Sequence, residues 1–268
     1  MKTTIIICAI CITAFVMLLS DMAISADEKP VGVWLFDTDN KAVAKDLSGG
    51  GNDGKIQGGV KWTKDGRFGG ALEFDGIDSW VEVPDHKSLQ FPKGTDFTLA
   101  CWIKITTPEP SPPMLIAKNY HPAQVLPWYA LYYADAGKNA TGDISLFLRD
   151  TAGASFHIAA GTKIDDNKWH HIVGTREKDK IMLYVDGEKK AEMGGTDFDV
   201  GTNAAPLHLM SHLGRFLGGV LDEVIIYRKT LSPDEIKKLM KDGYLRFAAV
   251  DPEGKSTTTW AAIKTAFR

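Results

Sequence analysis

Aromatic and polar side chains between residues 120 and 149 are the groups in this sequence that are best suited to bind a small polar ligand. The candidates are Tyr120, His121, Trp128, Tyr132 and Arg149. Sugar rings stack on aromatic faces, and their hydroxyl groups exchange hydrogen bonds with polar neighbours. Trp128 and Tyr132 share one face of a strand. Tyr129 and Tyr133 share the other, so at most one pair can face a ligand. The pattern indicates a carbohydrate site, with core packing as the alternative for most of these rings.

Groups that could perform catalysis have simpler explanations. The acidic pair Asp165-Asp166 falls in a turn, Asp222-Glu223 starts a strand, and Asp234-Glu235 lies in the first turn of a helix. The sequence contains no G-x-S-x-G, no H-E-x-x-H and no glycine-rich phosphate loop. His170 and His171 are adjacent, and neighbours in a strand point to opposite faces, so they cannot chelate one ion together. We therefore expect one histidine to be packed and the other exposed, and we expect no enzyme.

The elements that would position the candidate ligand residues are short strands. Apolar or alternating stretches, separated by Gly, Pro, Asn and Asp, predict an all-β antiparallel sandwich. They cover 31–36, 71–74, 80–83, 97–106, 115–118, 128–133, 144–149, 156–160, 169–176, 181–185, 207–210 and 223–228. Asp186-Gly187 predicts a tight hairpin turn, since such a turn needs positive φ. A proline-rich loop at 106–113 and a ring-rich loop at 119–127 would stand at one end of the sandwich.

A helix follows the last predicted strand. Ser232 and Glu235 form a capping box around Pro233, which sits where no amide partner is needed. Further on, Trp260, Ile263 and Phe267 have the spacing of a short amphipathic helix behind a polar linker. We expect this C-terminal tail to be loose or weakly docked.

The N-terminal residues have the pattern of a secretory signal peptide. Lys2 precedes an apolar run from Ile5 to Leu19, and small residues follow at Ala23, Ser25 and Ala26. A membrane anchor is the alternative, but the run is short for a bilayer span and no basic stop follows it. We expect export to the periplasm or the outside of the cell, with cleavage near Ser25 or Ala26 and no membrane span in the mature form.

Composition excludes some partners. The net charge is −3 for the 268 residues, and removal of residues 1–26 leaves it unchanged, so neither nucleic acid nor an anionic membrane is favoured. Cys101 is the one cysteine after residue 26. It cannot form an internal disulfide, so we expect a single buried thiol.

Five segments, in the same order, resemble the laminin G-like domains of the concanavalin A-like lectin/glucanase superfamily. They are VGVWLFD at 31–37, DLSGGGNDGKI at 46–56, GGALEFDGIDSWVEVPD at 69–85, WHHIVGTREKDKIMLYVDGEK at 169–189 and GGVLDEVIIYRKTLSPDEI at 218–236. The resemblance implies a jelly-roll sandwich. We assign residues 1–26 to the signal peptide, 27–240 to the laminin G-like domain, and 241–268 to the linker and tail.

The resemblance also implies a structural calcium ion where the first and last strands meet. The matching positions are Asp37 and Asp222, with main-chain carbonyls supplying further oxygens. Glucanases of the superfamily carry E-x-D-x-x-E on one strand, and this sequence lacks that pattern. The leading hypothesis is an exported, non-catalytic module that binds carbohydrate or a glycosylated surface. A protein-interaction or cell-surface structural domain is the alternative, and a glycan hydrolase or lyase is the least favoured.

Overall fold

The computed structural model describes residues 29–107, 113–118, 127–134 and 142–249. Two large antiparallel sheets are built from short strands, as the sequence predicts. The strands before the first undescribed segment are β1 (Pro30–Trp34), β2 (Val43–Ala44), β3 (Gly54–Gln57), β4 (Lys61–Thr63), β5 (Ala71–Asp75), β6 (Trp80–Val83) and β7 (Phe97–Thr107). The later strands are β8 (Met114–Lys118), β9 (Trp128–Tyr132), β10 (Ser145–Arg149), β11 (Ser155–Ala159), β12 (Trp169–Glu177), β13 (Lys180–Val185), β14 (Glu188–Met193), β15 (Leu207–Leu209), β16 (Ser211–His212), β17 (Arg215–Phe216) and β18 (Gly218–Tyr227).

Sheet A has the strand order β14-β13-β12-β7-β18-β5-β4, and β1 pairs with β18 beside this path. Sheet B has the order β11-β10-β9-β8-β15-β6-β3-β2. Neighbours in both sheets are antiparallel, and several pairs, such as β7 with β18 and β8 with β15, are distant in sequence, as in a jelly-roll sandwich. The first and last strands of the domain are therefore adjacent, which confirms the premise of the predicted calcium site.

The core lies between the inner faces of the two sheets. Alternate residues along each strand point into it, because successive side chains of a strand lie on opposite faces. Tyr129 and Leu131 of β9 face Leu99 and Ile103 of β7, and all four are fully buried. Cys101 is a free and fully buried thiol in this core, as predicted.

A helix covers part of the outer face of sheet A. Helix α1 (Pro233–Ala249) packs Ile236 and Leu239 on Ala100, Val173 and Ile225. Its start is a capping box, as predicted: the Glu235 amide donates to Ser232 Oγ (3.2 Å), and the Ser232 amide donates to Glu235 Oε2 (2.7 Å). Helix α1 continues past residue 240 to Ala249 with a break at Gly243, so residues 241–249 extend the helix and are not part of the predicted linker. No helix in the described ranges is long and apolar enough to cross a membrane.

Two tryptophans lie differently from our expectation. The sequence pattern places Trp102 on a face nearer to solvent than Trp169, but both rings lie on the outer face of sheet A, where Trp102 pairs with His171 across the strands. Trp102 is 5% exposed, because Phe68 packs edge-on against it and the Arg67 guanidinium lies 4.5 Å from its ring. Trp169 begins β12 and is only half-buried.

The predicted hairpin turn is confirmed, and several other local predictions concern residues outside the described ranges. The Asp186-Gly187 turn joins β13 to β14 with positive φ at both residues, as a two-residue hairpin requires. The signal peptide at 1–26 and the tail helix at 259–267 lie outside the described residues. Tyr120 and His121 lie outside them as well.

Candidate functional site

The outer face of sheet B carries a group of aromatic rings, which we call the aromatic strip. It consists of His157, Phe147, Trp128, Tyr132 and His212. Trp128 and Phe147 are stacked with ring centroids 4.5 Å apart, and Trp128 and His212 are stacked at 5.4 Å. Phe147 is also stacked on His157 at 6.4 Å and lies 6.3 Å from Tyr132. The rings form one continuous surface across three strands and a hairpin.

Strand register accounts for this grouping. Phe147 of β10 is opposite Ala130 of β9 and His157 of β11, so Phe147 and His157 share a face. Trp128 and Tyr132 lie two residues either side of Ala130 and therefore share that face too. Tyr129 and Tyr133 point into the core, as the alternation predicts. Of the two pairs of rings, only Trp128 and Tyr132 lie on the outside of the sandwich.

The fifth ring reaches the strip by way of a tight hairpin. Met210 has φ 65 at the end of β15 and turns the chain away from sheet B. Strands β16 and β17 then pair His212 with Arg215 around Leu213 and Gly214, which both have positive φ. Leu213 adopts this conformation without being glycine, so the backbone here is strained. The hairpin holds the His212 ring against Trp128.

Exposure differs along the strip. Trp128 and Tyr132 are 8% and 9% exposed, while Phe147, His157 and Arg149 are half-buried. The exposed ring surface of the strip therefore belongs mainly to Phe147 and His157, beside the largely buried Trp128 and Tyr132. Our sequence reasoning missed Phe147, His157 and His212. The first two require the pairing of β9, β10 and β11, which composition does not reveal.

Charged side chains surround these rings. Arg149 is opposite Trp128 across the β9–β10 pair, and its Nε donates to Gly153 O (2.9 Å). Arg215 donates from Nε to His212 O (3.3 Å) and hydrogen-bonds the Tyr132 hydroxyl group. His208 lies further along the same face with its Nε2 3.7 Å from Glu82 Oε2. Burial lowers the pKa of His208 to about 3, and His212 adds to this effect.

The predicted metal residues meet at a gap in sheet A. Strand β18 pairs with β5 through Gly218–Leu221 and with β1 through Val224–Tyr227, on the same edge. Asp222 and Glu223 fall between these two pairings, at a bulge in which Glu223 has φ 51. Asp37 follows β1 and reaches the gap from the other side, after Phe36 with φ 56. Non-glycine residues with positive φ adjoin both predicted ligands, which marks a strained site.

Backbone amides hold these carboxylates in place. The Gly70 amide donates to Asp37 Oδ1 (3.1 Å) and the Phe68 amide donates to Asp222 Oδ2 (2.9 Å). The Tyr244 amide donates to Glu223 Oε2 (2.6 Å), and it is available because Gly243, with φ 70, breaks helix α1 there. A side chain at Gly69 would place its Cβ 2.1 Å from Asp37 Oδ1. The site is therefore shaped by three separate segments around three acids.

Burial makes ionisation of these acids costly. It raises the pKa of Asp222 to about 8, and the charges of Glu223 and Asp37 add to that rise. Burial raises the pKa of Glu223 to about 7, with Asp37 again contributing, and it raises the pKa of Asp37 itself. Glu223 is thus a third member of the cluster. Its place in the cluster was not apparent from the sequence, because in a regular strand Glu223 would point away from Asp222.

The carboxylate oxygens of these acids suit a cation that prefers oxygen ligands, but the side chains alone would not complete its coordination. These carboxylates converge and have raised pKa values. A divalent ion bound between them would reduce their mutual repulsion. Within the described residues, no three His, Cys, Asp or Glu side chains are arranged so that they could hold a metal ion. An ion at Asp37 and Asp222 would therefore need main-chain carbonyl oxygens for the rest of its coordination, as the sequence analysis expects.

The adjacent histidines behave as a packed and a partly exposed residue, as predicted. His171 is 2% exposed beside Trp102, and burial lowers its pKa to about 3. The His170 ring is held between two carboxylates, with Nδ1 2.8 Å from Asp186 Oδ2 and Nε2 3.0 Å from Asp166 Oδ1. The bond to Asp186 is the main reason that the pKa of His170 is raised.

Several solved structures share this fold. The chain is similar to the binding domain of Paraclostridial Mosquitocidal Protein 1, with a TM-score of 0.65 and 20% identity over 80% of this chain and 52% of that one. It is similar to domain 4 of AbnA, a GH43 extracellular arabinanase from Geobacillus stearothermophilus in complex with arabinotriose, with a TM-score of 0.64 and 20% identity over 79% of this chain and 98% of that one. The botulinum neurotoxin serotype D binding domain matches with a TM-score of 0.59 and 15% identity, over 80% of this chain and 51% of that one.

These likenesses show the fold alone, and the chain spans about half the length of the toxin binding domains. No curated protein sequence matches it. A family model for laminin G-like domains, described as "Concanavalin A-like lectin/glucanases superfamily", matches residues 75–237. That range is more than half of the chain, so the chain belongs to the laminin G-like family of the concanavalin A-like lectin/glucanases superfamily.

Proposed function

We propose that this protein is an exported, non-catalytic binding module that recognises carbohydrate or a glycosylated surface through the aromatic strip. The observation that carries the proposal is the continuous set of stacked rings on the outer face of sheet B. Helix α1 packs on the outer face of sheet A instead, so the strip stays uncovered by it. Phe147 and His157 are partly exposed, so the strip presents apolar ring surface against which a sugar can pack.

The polar groups beside the rings support a sugar ligand. Arg149 and Arg215 adjoin the strip, and these two residues and His157 within it can donate hydrogen bonds to hydroxyl groups. Carbohydrate sites combine apolar ring contact with a few polar groups that fix orientation. Domain 4 of AbnA has this fold and is in complex with arabinotriose, and the similar toxin regions are binding domains. Both likenesses favour a binding role.

The acids of this face favour a non-catalytic role. Glycoside hydrolysis needs two carboxyl groups about 5 to 9.5 Å apart on either side of the scissile bond. Among the strand residues that the structure describes on this face, Glu82 is the one acid, and it lies against His208. Asp222 and Glu223 are adjacent acids with raised pKa values, but they are buried on sheet A and out of reach of a polysaccharide.

We also propose that calcium binds at the gap between β1 and β5, held by Asp37 and Asp222 with Glu223 beside them. Its role there would be structural. A cation would neutralise buried carboxylates that raise each other's pKa, and it would attach the chain after β1 to the bulge in β18.

A glycan array with purified protein tests the binding proposal. We expect selective binding to one class of glycan, and we expect Phe147→Ala to lose it because a half-exposed ring is removed without opening the core. Trp62→Ala is the matched control, since Trp62 is an exposed aromatic residue on sheet A and is 38% exposed. Absence of binding to any glycan, with captured protein partners instead, would favour the protein-interaction alternative.

A further inference from the structure

Two arginines lie at the two ends of the aromatic strip. Arg149 is opposite Trp128 at the start of β9, and Arg215 reaches the hydroxyl group of Tyr132 at its end. Tyr132 lies four positions after Trp128 along β9, which corresponds to about 13 Å. A ligand lying along the strip would therefore meet a guanidinium group at either end.

Each arginine has donors left for a ligand. Arg149 uses Nε for the Gly153 carbonyl of its own turn, and its terminal amino groups make no hydrogen bond to the residues that the structure describes. Arg215 uses Nε for the His212 carbonyl. A guanidinium fork binds planar or tetrahedral anions with paired, charge-assisted hydrogen bonds. Hydroxyl groups alone would not require two such forks.

The acids that the structure describes near the strip do not pair with these arginines. Over the described residues, neither Arg149 nor Arg215 takes part in an ion pair. Glu82 is associated with His208, on the far side of β15 from the strip. Asp150, the acid next to Arg149 in sequence, uses Oδ1 to accept the amides of Ala152 and Ala154 in the turn. Among the described residues, the strip thus carries two unpaired cationic groups in a protein whose net charge is −3.

We propose that the carbohydrate bound on the aromatic strip is anionic, and that Arg149 and Arg215 hold its carboxylate or sulfate groups. This inference rests on the proposed function and adds the charge class of the ligand. The rings would stack on the sugar faces, and the two guanidinium groups would select a glycan whose anionic groups recur along the chain.

Binding of a matched pair of ligands tests it. An oligogalacturonate and its methyl ester have the same backbone and differ in charge, and titration calorimetry at low salt can compare them. We expect the acid form to bind at least tenfold more tightly, with an advantage that shrinks as salt is raised. A sulfated oligosaccharide and its desulfated form make a second pair, which distinguishes sulfate from carboxylate as the preferred anion.

Arginine variants test whether Arg149 and Arg215, and not the overall charge of the protein, select the anionic ligand. Arg149→Gln and Arg215→Gln should each weaken binding of the preferred anionic ligand about tenfold and leave binding of its neutral partner nearly unchanged. Arg149→Lys should restore little, because lysine lacks the fork. Arg246→Gln, at an exposed position of α1, is the control and should behave as wild type. Thermal melts establish that each variant is folded.

Three results would each contradict a different part of these proposals. Equal affinity for charged and neutral partners in both pairs would overturn the anionic ligand while leaving carbohydrate binding intact. A preference for anions that survives both glutamine variants would overturn the assignment to these arginines. Binding of neither charged nor neutral saccharides would refute the proposed function, and this inference with it.

Discussion

Asp37→Asn is the sharpest perturbation of the proposed calcium site. Asp37 accepts one hydrogen bond, from the Gly70 amide to Oδ1, and an asparagine can keep that bond through its own oxygen. Asp222 is less suitable, because both of its oxygens accept amides and an asparagine nitrogen would face one of those donors. The substitution at 37 therefore removes charge and leaves the local structure in place.

We expect Asp37→Asn to lower the stability of the protein when calcium is bound and to raise it when calcium is removed. With calcium at about 100 times its dissociation constant, binding to the folded state adds about 2.7 kcal/mol to the free energy of unfolding. For a domain of this size that corresponds to a rise in Tm of about 5 to 10 °C. In chelator, the Asp37 charge raises the pKa of Asp222 and Glu223, so its removal should stabilise the protein by on the order of 1 kcal/mol at pH 8.

Thermal melts in calcium and in chelator, for wild type and variant, measure all of these quantities. Wild type should lose several degrees in chelator, whereas Asp37→Asn should lose little and melt slightly above wild type there. Asp39→Asn is the matched control, because Asp39 is exposed two residues further on and bonds Lys41. If chelator leaves the wild-type melt unchanged and elemental analysis finds no bound metal, the calcium reasoning is refuted. An unaltered calcium response in Asp37→Asn would exclude Asp37 as a ligand.

Four further outcomes are expected. The carboxylate bonds that raise the pKa of His170 stabilise the fold below its ordinary pKa of about 6.5 and are lost as pH rises through the raised folded value, so the Tm advantage of wild type over His170→Gln should shrink between pH 6 and pH 9. Trp102→Ala should lower the free energy of unfolding by about 3 to 5 kcal/mol in denaturant titrations, and the half-buried Trp169→Ala by clearly less. Incubation with laminarin, lichenan, alginate or agar should release no reducing ends above a heat-killed control, and reproducible release would contradict a non-catalytic module. Mass spectrometry of the exported protein should find an N-terminus at Ala26 or Asp27, whereas intact Met1 in a membrane fraction would contradict cleavage.

The sequence predicted the sandwich because its signals are local. Alternation, turn residues and the capping box at Ser232 each act over a few residues, and the structure confirms them. The burial of Trp102 could not be predicted, since the Arg67 and Phe68 side chains that cover it come from a segment more than thirty positions away. Strand alternation misled us here, because it tells which residues share a face and does not tell what covers that face.

Some residues of the candidate sites were also predicted from the sequence, and others were missed. Asp37 and Asp222 were found through the family resemblance, and the pairing of β1 with β18 brings their segments together. Glu223 was missed because a bulge, which is a departure from regular pairing, turns it into the cluster. Phe147 and His212 were missed because one needs the register between strands and the other needs a strained hairpin. Neither kind of information is present in local periodicity.

A buried lysine connects the core to the candidate ligand residues. Lys118 ends β8 with a fully buried side chain, and its Nζ donates to Asp85 Oδ1 (2.6 Å) and to the carbonyl of Asn203 (3.1 Å). A buried ammonium group is tolerated only when such acceptors surround it. The side-chain amide of Asn203 donates in turn to the carbonyl of Pro127, the residue before β9. Lys118 and Pro127 flank the segment that contains Tyr120. Both of these described residues are hydrogen-bonded to Asn203, and this arrangement holds the end of β8 beside the start of β9.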